Sequence, residues 1–205
     1  MLQALLPTIT IDENDKKKFR EKIDEIYHLN LKNRFKNFGR LQDVILNHSS
    51  YGSIDLKDEQ LPEEFAKESI IEPLFEFLGY EKVSETVVSV PDGKNKPDYI
   101  IRPKGKNKPI FYVEAEPINT DLYSKKHGVR QVEGWLLSRA SKTNYGIATD
   151  GFKWILLKFD DTSAKSIPIL EVDLRNLFIE KLGVQTFLEE KHLEEIMGKF
   201  LILHS

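Results

Sequence analysis

Three carboxylates on two neighbouring segments are the residues of this chain best suited to chemistry. Asp98 follows Pro97 at the start of a short apolar run, and Glu114 and Glu116 lie in the next apolar segment. Because side chains on a strand alternate between faces, Glu114 and Glu116 share one face, and Ala115 points to the other. Two acids on one face are costly to bury unless a cation joins them. The pattern therefore predicts a divalent-metal site, with Asp98 as a further oxygen ligand.

The elements around these acids predict an α/β fold. Apolar residues at helical spacing predict a helix from Pro62 to about Leu78, ended by Gly79. Downstream of this helix, strands are predicted over 86–90, 98–102, 110–116, 145–149 and 154–159. A second helix is predicted over 126–141, between the third and fourth of these strands. This order predicts one mixed β-sheet flanked by helices, with helical segments at both ends of the chain.

The remaining segments suggest a division into three parts. Residues 13–46 read as helix, either continuous or broken near Gly39, and 47–62 read as a loop. The tail, 173–203, reads as helical with interruptions at Gly183 and Gly198. The predicted parts are an N-terminal helical lead over 1–61, a core over 62–172 and a C-terminal helical segment over 173–205.

Composition restricts the classes of function. The 205 residues are 40% hydrophobic and 31% charged, which is ordinary for a water-soluble domain. The net charge of -3 means that any nucleic-acid binding depends on local basic patches. With no cysteine, thiol catalysis and cysteine-type zinc sites are excluded, and the five histidines lack the spacing of a metal site. Neither a membrane span nor a secretory signal is visible, so a cytoplasmic protein is expected.

Five motifs succeed one another in an informative order. They are Leu78-Gly79-Tyr80, Pro97-Asp98, Val113-Glu114-Ala115-Glu116-Pro117, Gln131 with Trp135, and Thr149-Asp150-Gly151 before Trp154. In this order the chain resembles the PD-(D/E)xK nuclease superfamily, which has the restriction-endonuclease-like fold. The more specific likeness is to the N-terminal endonuclease domain of type I and type IIG restriction enzymes. The resemblance covers roughly residues 62–160.

The resemblance implies a magnesium-dependent DNA endonuclease, with Mn²⁺ as a substitute for Mg²⁺. The implied catalytic residues are Asp98, Glu114, Glu116, Gln131 and Glu72, with Glu68 as the alternative to Glu72. The implied metal ligands are Asp98, Glu114 and the backbone carbonyl of Ala115. The basic residues expected to contact DNA phosphates are Lys96, Lys125, Lys126 and Arg130.

Two positions depart from the family pattern. Glu116 stands where the family has a lysine, and Trp135 stands where it has a tyrosine. Glutamate at the first position is a minority variant among active restriction endonucleases. Glu116 could accept a hydrogen bond from a metal-bound water as a positioning group or general base. A lysine from elsewhere could replace the missing cation, and Lys96, Lys125 and Lys126 are the candidates.

Other functions remain open on the sequence. The main alternative is a catalytically silent nuclease-fold module that binds nucleic acid or a protein partner. A third reading is an interaction domain whose acids lie on the surface. The chain lacks a methyltransferase Asn-Pro-Pro-Tyr motif and a helicase P-loop. It is therefore expected to work with methyltransferase or specificity domains or subunits of a larger enzyme, or else as a free-standing protein that forms a homodimer.

Overall fold

A mixed β-sheet forms the centre of the computed structural model, which describes residues 12–82, 97–138, 143–183 and 189–204. Within these residues the sheet has six strands in sequence order. They are β1 (Tyr80–Lys82), β2 (Tyr99–Pro103), β3 (Phe111–Ala115), β4 (Tyr145–Thr149), β5 (Lys153–Asp160) and β6 (Lys165–Asp173). Strands β3 and β4 are parallel, and the other neighbouring pairs are antiparallel. The predicted fold class is confirmed: a mixed sheet flanked by helices, consistent with a restriction-endonuclease-like fold.

Helices cover both faces of the sheet. Their bounds are α1 (Glu13–Glu25), α2 (Phe38–Ile45), α3 (Pro62–Ala66), α4 (Glu72–Phe77), α5 (Val129–Ser138), α6 (Arg175–Lys181) and α7 (Glu190–Leu201). Helix α5 covers one face, where its apolar residues pack with Tyr112, Ala148 and Ile155. The larger apolar cluster on the other face joins the sheet to residues of α1, α3, α4, α6 and α7. Within the described ranges, no helix is long and apolar enough to cross a membrane.

The N-terminal helical segment is broken earlier than Gly39. Helix α1 continues into a π-helical turn at Ile26–Leu31, and α2 begins only at Phe38. Asn37 ends the break, because its side chain accepts the backbone N–H of Gly39 at 2.8 Å and caps α2. The break near Gly39 is therefore confirmed in outline, but Gly39 itself lies inside the second helix.

The helix predicted over 62–78 is present, with a π-helical turn in its middle. Pro62 is its first residue, α3 and α4 are joined by the π turn Lys67–Ile71, and Gly79 follows its end with a φ of 80°. Pro73 has no amide hydrogen to donate, and it follows the π turn, where the regular ladder of α-helical hydrogen bonds is already interrupted. This is why the helix tolerates a proline in its interior.

Strand β6 was absent from the sequence prediction. It is a nine-residue edge strand in which only Val172 is buried, so it lacks the regular apolar alternation that marks a half-buried strand. The strand predicted over 86–90 lies outside the described residues. In the tail, Gly183 follows the end of α6 as predicted, but Gly198 lies inside α7 without interrupting it.

Both terminal segments share apolar contacts with the sheet. Phe19 of α1 stacks on Phe200 of α7 with ring centroids 4.9 Å apart, and Phe200 meets Trp154 of β5 at 5.2 Å. Arg175 of α6 donates to the carbonyls of Val44 and Ile45, which ties the tail to α2. The division of the chain into a lead, a core and a tail stays a prediction.

Candidate active site

Asp98 and Glu114 lie side by side at one end of the sheet. Tyr99 pairs with Val113 across β2 and β3, so Asp98, one residue earlier, lies opposite Glu114. Asp98 Oδ2 accepts the backbone N–H of Ala115 at 2.8 Å. Glu114 is only 7% exposed, and its Oε2 is buried without a hydrogen-bond partner among the described residues. The antiparallel register therefore brings together the two acids that the sequence singled out.

The surroundings of Glu114 disfavour its charged form. Burial raises its pKa to about 9, and the charge of Asp98, the charge of Glu116 and a hydrogen bond with Asp98 act in the same direction. With this pKa, Glu114 holds a proton at neutral pH. A cation bound beside Glu114 would favour its charged form.

Lys67 is the cation that the structure places against these acids. It begins the π turn, its side chain is only 9% exposed, and its Nζ lies 2.6 Å from Asp98 Oδ1. The same ammonium group binds Glu63 and lies 3.3 Å from Glu64 Oε1. Burial lowers the pKa of Lys67, but the hydrogen bonds and charges of Asp98 and Glu63 raise it by more, so that it lies above the ordinary value of a lysine. Lys67 therefore stays charged.

The sequence interpretation missed Lys67 in favour of three other lysines. Lys96 lies outside the described residues, whereas Lys125 and Lys126 are exposed in the loop before α5. Lys67 precedes Asp98 by 31 residues and belongs to a helix, so strand spacing could not point to it. One signal was present: Lys67 lies three and four residues before Ile70 and Ile71, on the apolar stripe of its helix. A lysine in such a stripe is a candidate for a buried, paired charge.

Glu63, rather than Glu72, is the helix acid that the structure brings to Asp98 and Glu114. Glu63 shares the Lys67 ammonium group with Asp98. Burial is the largest cause of the raised pKa of Glu114 and of Glu116, and the negative charge of Glu63 adds to it in both cases. Because Glu63 precedes Lys67 by one helical turn, both side chains reach the same end of the sheet.

Glu72 lies on the other side of the sheet. Asp98 and Tyr99 are neighbours in sequence, so their side chains point to opposite faces. The Tyr99 hydroxyl donates to Glu72 Oε1 at 2.8 Å, and Lys82 Nζ lies 2.7 Å from the same oxygen. Glu72 and its alternative Glu68 line a separate cavity of about 380 Å³ beside Tyr99. The structure therefore does not bring Glu72 to the other acids, and its catalytic role stays a prediction.

Glu116 is bound by the start of α5. Its Oε1 accepts the backbone N–H of Gly128 at 3.0 Å, and its Oε2 lies 3.2 Å from Nδ1 of His127. Burial raises the pKa of Glu116, while Gly128 and His127 oppose the rise. Gly128 has a φ of 53°, and a Cβ there would lie 2.9 Å from the carbonyl oxygen of Leu122. Glu116 therefore binds the turn at Gly128, where the helix begins. Its contact with His127 is seen only in the folded structure.

The other predicted site residues lie around this turn. Gln131 is in the first turn of α5, and its Oε1 is buried without a partner among the described residues. Lys125 and Lys126 precede His127 in the loop that contacts Glu116, and both are exposed. Arg130 is exposed and pairs with Glu133 at 3.1 Å. The Ala115 carbonyl lies between the two acids at the last residue of β3.

The oxygen atoms at this end of the sheet suit a hard divalent cation. Asp98, Glu114 and the Ala115 carbonyl are oxygen donors, the ligand type that Mg²⁺ and Mn²⁺ prefer. Glu114 Oε2 is buried without a partner among the described residues, so it is open to such a cation, and a bound cation would oppose the burial that raises the pKa of Glu114. No group of three His, Asp or Glu side chains within the described ranges is arranged to hold a metal. A metal at Asp98 and Glu114 would therefore keep several waters, as Mg²⁺ commonly does.

Comparison with known proteins gives one informative similarity. Over 120 residues the chain is 43% identical to a protein of Methanocaldococcus jannaschii named "Putative type II restriction enzyme and methyltransferase". The match covers 58% of this chain and 10% of that protein, so the chain spans only a small part of its relative. No family model and no solved structure matches the chain.

Proposed function

We propose that this chain is a nuclease module of a restriction system that cleaves DNA by metal-dependent hydrolysis of phosphodiester bonds. The observation that carries the proposal is the pairing of Asp98 with Glu114 at the end of β3, beside the buried Lys67. The similarity to a protein named as a restriction enzyme and methyltransferase supports a nuclease of this class. PD-(D/E)xK chemistry is the finer part of the proposal and is supported by the order of the five motifs.

The residues of the site have separable roles in the proposal. Asp98, Glu114 and the Ala115 carbonyl would hold Mg²⁺, or Mn²⁺ in its place. The ion would supply a Lewis acid that activates water and neutralises charge on the phosphate. Glu63 takes the position of the helix acid. Glu116, fastened by Gly128 and His127, orients the start of α5 and with it Gln131, whose buried amide oxygen has a free acceptor site.

DNA would approach over the loop that precedes α5. Lys125 and Lys126 are exposed there, adjacent in sequence to His127, which contacts Glu116. Lysines in such a position contact phosphates and set the placement of the duplex without reading its sequence. Recognition of a particular DNA site would then come from a methyltransferase or specificity domain, in keeping with the name of the relative.

A silent binding module is the second candidate, and one observation favours it. Glu116 replaces the lysine of the family pattern, and both of its oxygens are already engaged by Gly128 and His127. In that case the same surface would hold DNA without cutting it.

Plasmid nicking with matched variants separates the two candidates. The 205-residue chain is incubated with supercoiled plasmid and Mg²⁺ or Mn²⁺, and nicked and linear DNA are measured. Cleavage is expected, with a loss of about 100-fold or more in Asp98→Asn and in Glu114→Gln. Glu21→Gln, an exposed change in α1, is the control. DNA binding without cleavage under either ion would establish the silent module.

The same assay decides which helix acid takes part. Because Glu63 shares Lys67 with Asp98, Glu63→Gln is expected to lower the rate of cleavage about tenfold or more. Glu72→Gln is expected to change it less, because Glu72 is bound to Tyr99 and Lys82 on the other face. If Glu72→Gln lowers the rate more than Glu63→Gln does, Glu72 is the helix acid that takes part in cleavage.

A further inference from the structure

We propose that Lys67, the first residue of the π turn after α3, is the cation that acts on the DNA phosphate. No strand residue of the site can perform this task. This inference rests on the proposed nuclease function and adds a residue to it. Glu116, the residue after β3, is an acid and cannot stabilise a developing negative charge. Lys67 is the buried ammonium group that the structure brings to Asp98.

The position of Lys67 relative to the acids supports this role. Its Nζ lies 2.6 Å from Asp98 Oδ1, and the other oxygen of Asp98 accepts the N–H of Ala115. A phosphate that reached the edge formed by Asp98 and Glu114 would therefore meet this ammonium group. A charge held in a water-poor site before the substrate arrives stabilises a transition state more than a mobile surface charge does.

The backbone around Lys67 is also specialised. The π turn Lys67–Ile71 contacts the second π turn, Ile26–Leu31. Asn30 Nδ2 donates to the carbonyl of Ser69 at 2.9 Å, and Arg34 Nη1 donates to the Ser69 hydroxyl at 3.3 Å. Turns of this kind are rare and occur mostly as single-turn insertions, frequently at functional sites. The N-terminal segment thus holds the turn from which Lys67 reaches the acids.

A purely structural lysine is the competing interpretation. Lys67 binds Asp98, Glu63 and Glu64, so it could serve only to balance their charges. In that case, Mg²⁺ could replace it, and a folded variant without the ammonium group would still cut DNA. The two interpretations therefore differ in the rate of cleavage by folded, Mg²⁺-saturated protein.

The absence of cysteine from the chain allows a direct test by chemical rescue. In Lys67→Cys, the introduced thiolate displaces bromide from 2-bromoethylamine and gains an aminoethyl group, which restores an ammonium at nearly the length of lysine. Alkylation with iodoacetamide, which displaces iodide, adds an uncharged amide of similar size and is the matched control. Lys57→Cys, at an exposed position, is treated in the same ways to control for alkylation itself.

Cleavage rate, thermal unfolding with and without Mg²⁺, and DNA affinity in Ca²⁺ are measured for each protein. We expect Lys67→Cys and its amide derivative to cut DNA about 100-fold to 1,000-fold more slowly than wild type. DNA affinity should change less than threefold, and the aminoethyl derivative should regain at least tenfold in rate. The Lys57→Cys proteins should cut like wild type.

Three outcomes overturn the inference, and they distinguish its failure from that of the nuclease proposal. If the wild type cuts and the folded amide derivative retains more than a tenth of its rate, Lys67 is structural and the nuclease proposal stands. Failure of the aminoethyl group to raise the rate of a folded derivative also removes Lys67 from the reaction. If the wild type does not cut under Mg²⁺ or Mn²⁺, the nuclease proposal fails, and the role of Lys67 fails with it.

Discussion

Replacing Glu114 with glutamine should change how the stability of the metal-free protein depends on pH. Burial raises the pKa of Glu114 from 4.5 to about 9, with further contributions from Asp98 and Glu116. Because this pKa is raised in the folded state, the folded protein binds an extra proton between these two values. The resulting stability is fully present below about pH 4.5 and is lost as pH rises towards 9.

The magnitude follows from the two pKa values. One extra bound proton lowers the free energy of unfolding by about 1.4 kcal/mol for each pH unit, and by about 6 kcal/mol across the whole interval. Glutamine has nearly the same shape and no charge at any pH, so Glu114→Gln removes this slope. At pH 7.5 the metal-free variant should therefore be more stable than wild type by up to about 4 kcal/mol.

Urea unfolding in EDTA at several values between pH 5.5 and 8.5 measures the difference. The free energies of wild type and Glu114→Gln should diverge by about 1.4 kcal/mol per pH unit as pH rises. Glu21→Gln, which changes an exposed carboxylate, should run parallel to wild type. Parallel curves for wild type and Glu114→Gln would refute the reasoning, since they would mean that Glu114 is solvated or already paired in the folded state.

Two further predictions concern the packing that holds the site. Gly146→Ala should destabilise the protein by about 1–3 kcal/mol in urea unfolding, since its Cβ would lie 2.3 Å from Val132 Cγ1. Gly134→Ala, in the same helix as Val132 but with open space around the new Cβ, should instead stabilise it by about 0.5–1 kcal/mol, and equal effects would contradict the packing of α5 on β4. Arg175→Met should cost about 2–4 kcal/mol because it removes the donor of the Ile45 carbonyl and of the Asn119 amide oxygen and one of the donors of the Val44 carbonyl, whereas Lys57→Met at the surface should stay within about 0.5 kcal/mol. The acceptors that lose Arg175 are Val44, Ile45 and Asn119.

Local sequence was sufficient to predict most strands of the sheet and the pairing of Asp98 with Glu114. The strands over 145–149 and 154–159 were predicted nearly to their ends, because they combine β-branched and aromatic residues with a turn at Asp150-Gly151. The hairpin of β2 and β3 was predicted for the same reason. Once that hairpin was expected, the pairing of Asp98 with Glu114 needed only the alternation of side chains and a short turn. Strand β6 could not be predicted in this way, because apolar and polar residues need not alternate along an exposed edge strand.

Helical periodicity was less reliable for the site. The π turn at Lys67–Ile71 adds a residue to one turn, and each residue rotates an α-helix by about 100°. A face extrapolated from the α4 half of the helix is therefore misplaced in the α3 half. Glu72 was expected at the acids from the family resemblance, whereas Glu63 and Lys67 are the helix residues that the structure brings to Asp98.

The sequence by itself determined that Asp98 and Glu114 lie side by side, because strand alternation and hairpin pairing are local properties. It determined neither their cation nor their supporting groups. Lys67 and Asp98 are 31 residues apart, and they meet only where the π turn passes the end of the sheet. The contacts of Glu116 with Gly128 and His127 likewise require the start of α5 to close over β3. Tertiary structure decided these partners, because a charge on a helix or in a loop has no periodicity that reveals which strand end it will meet.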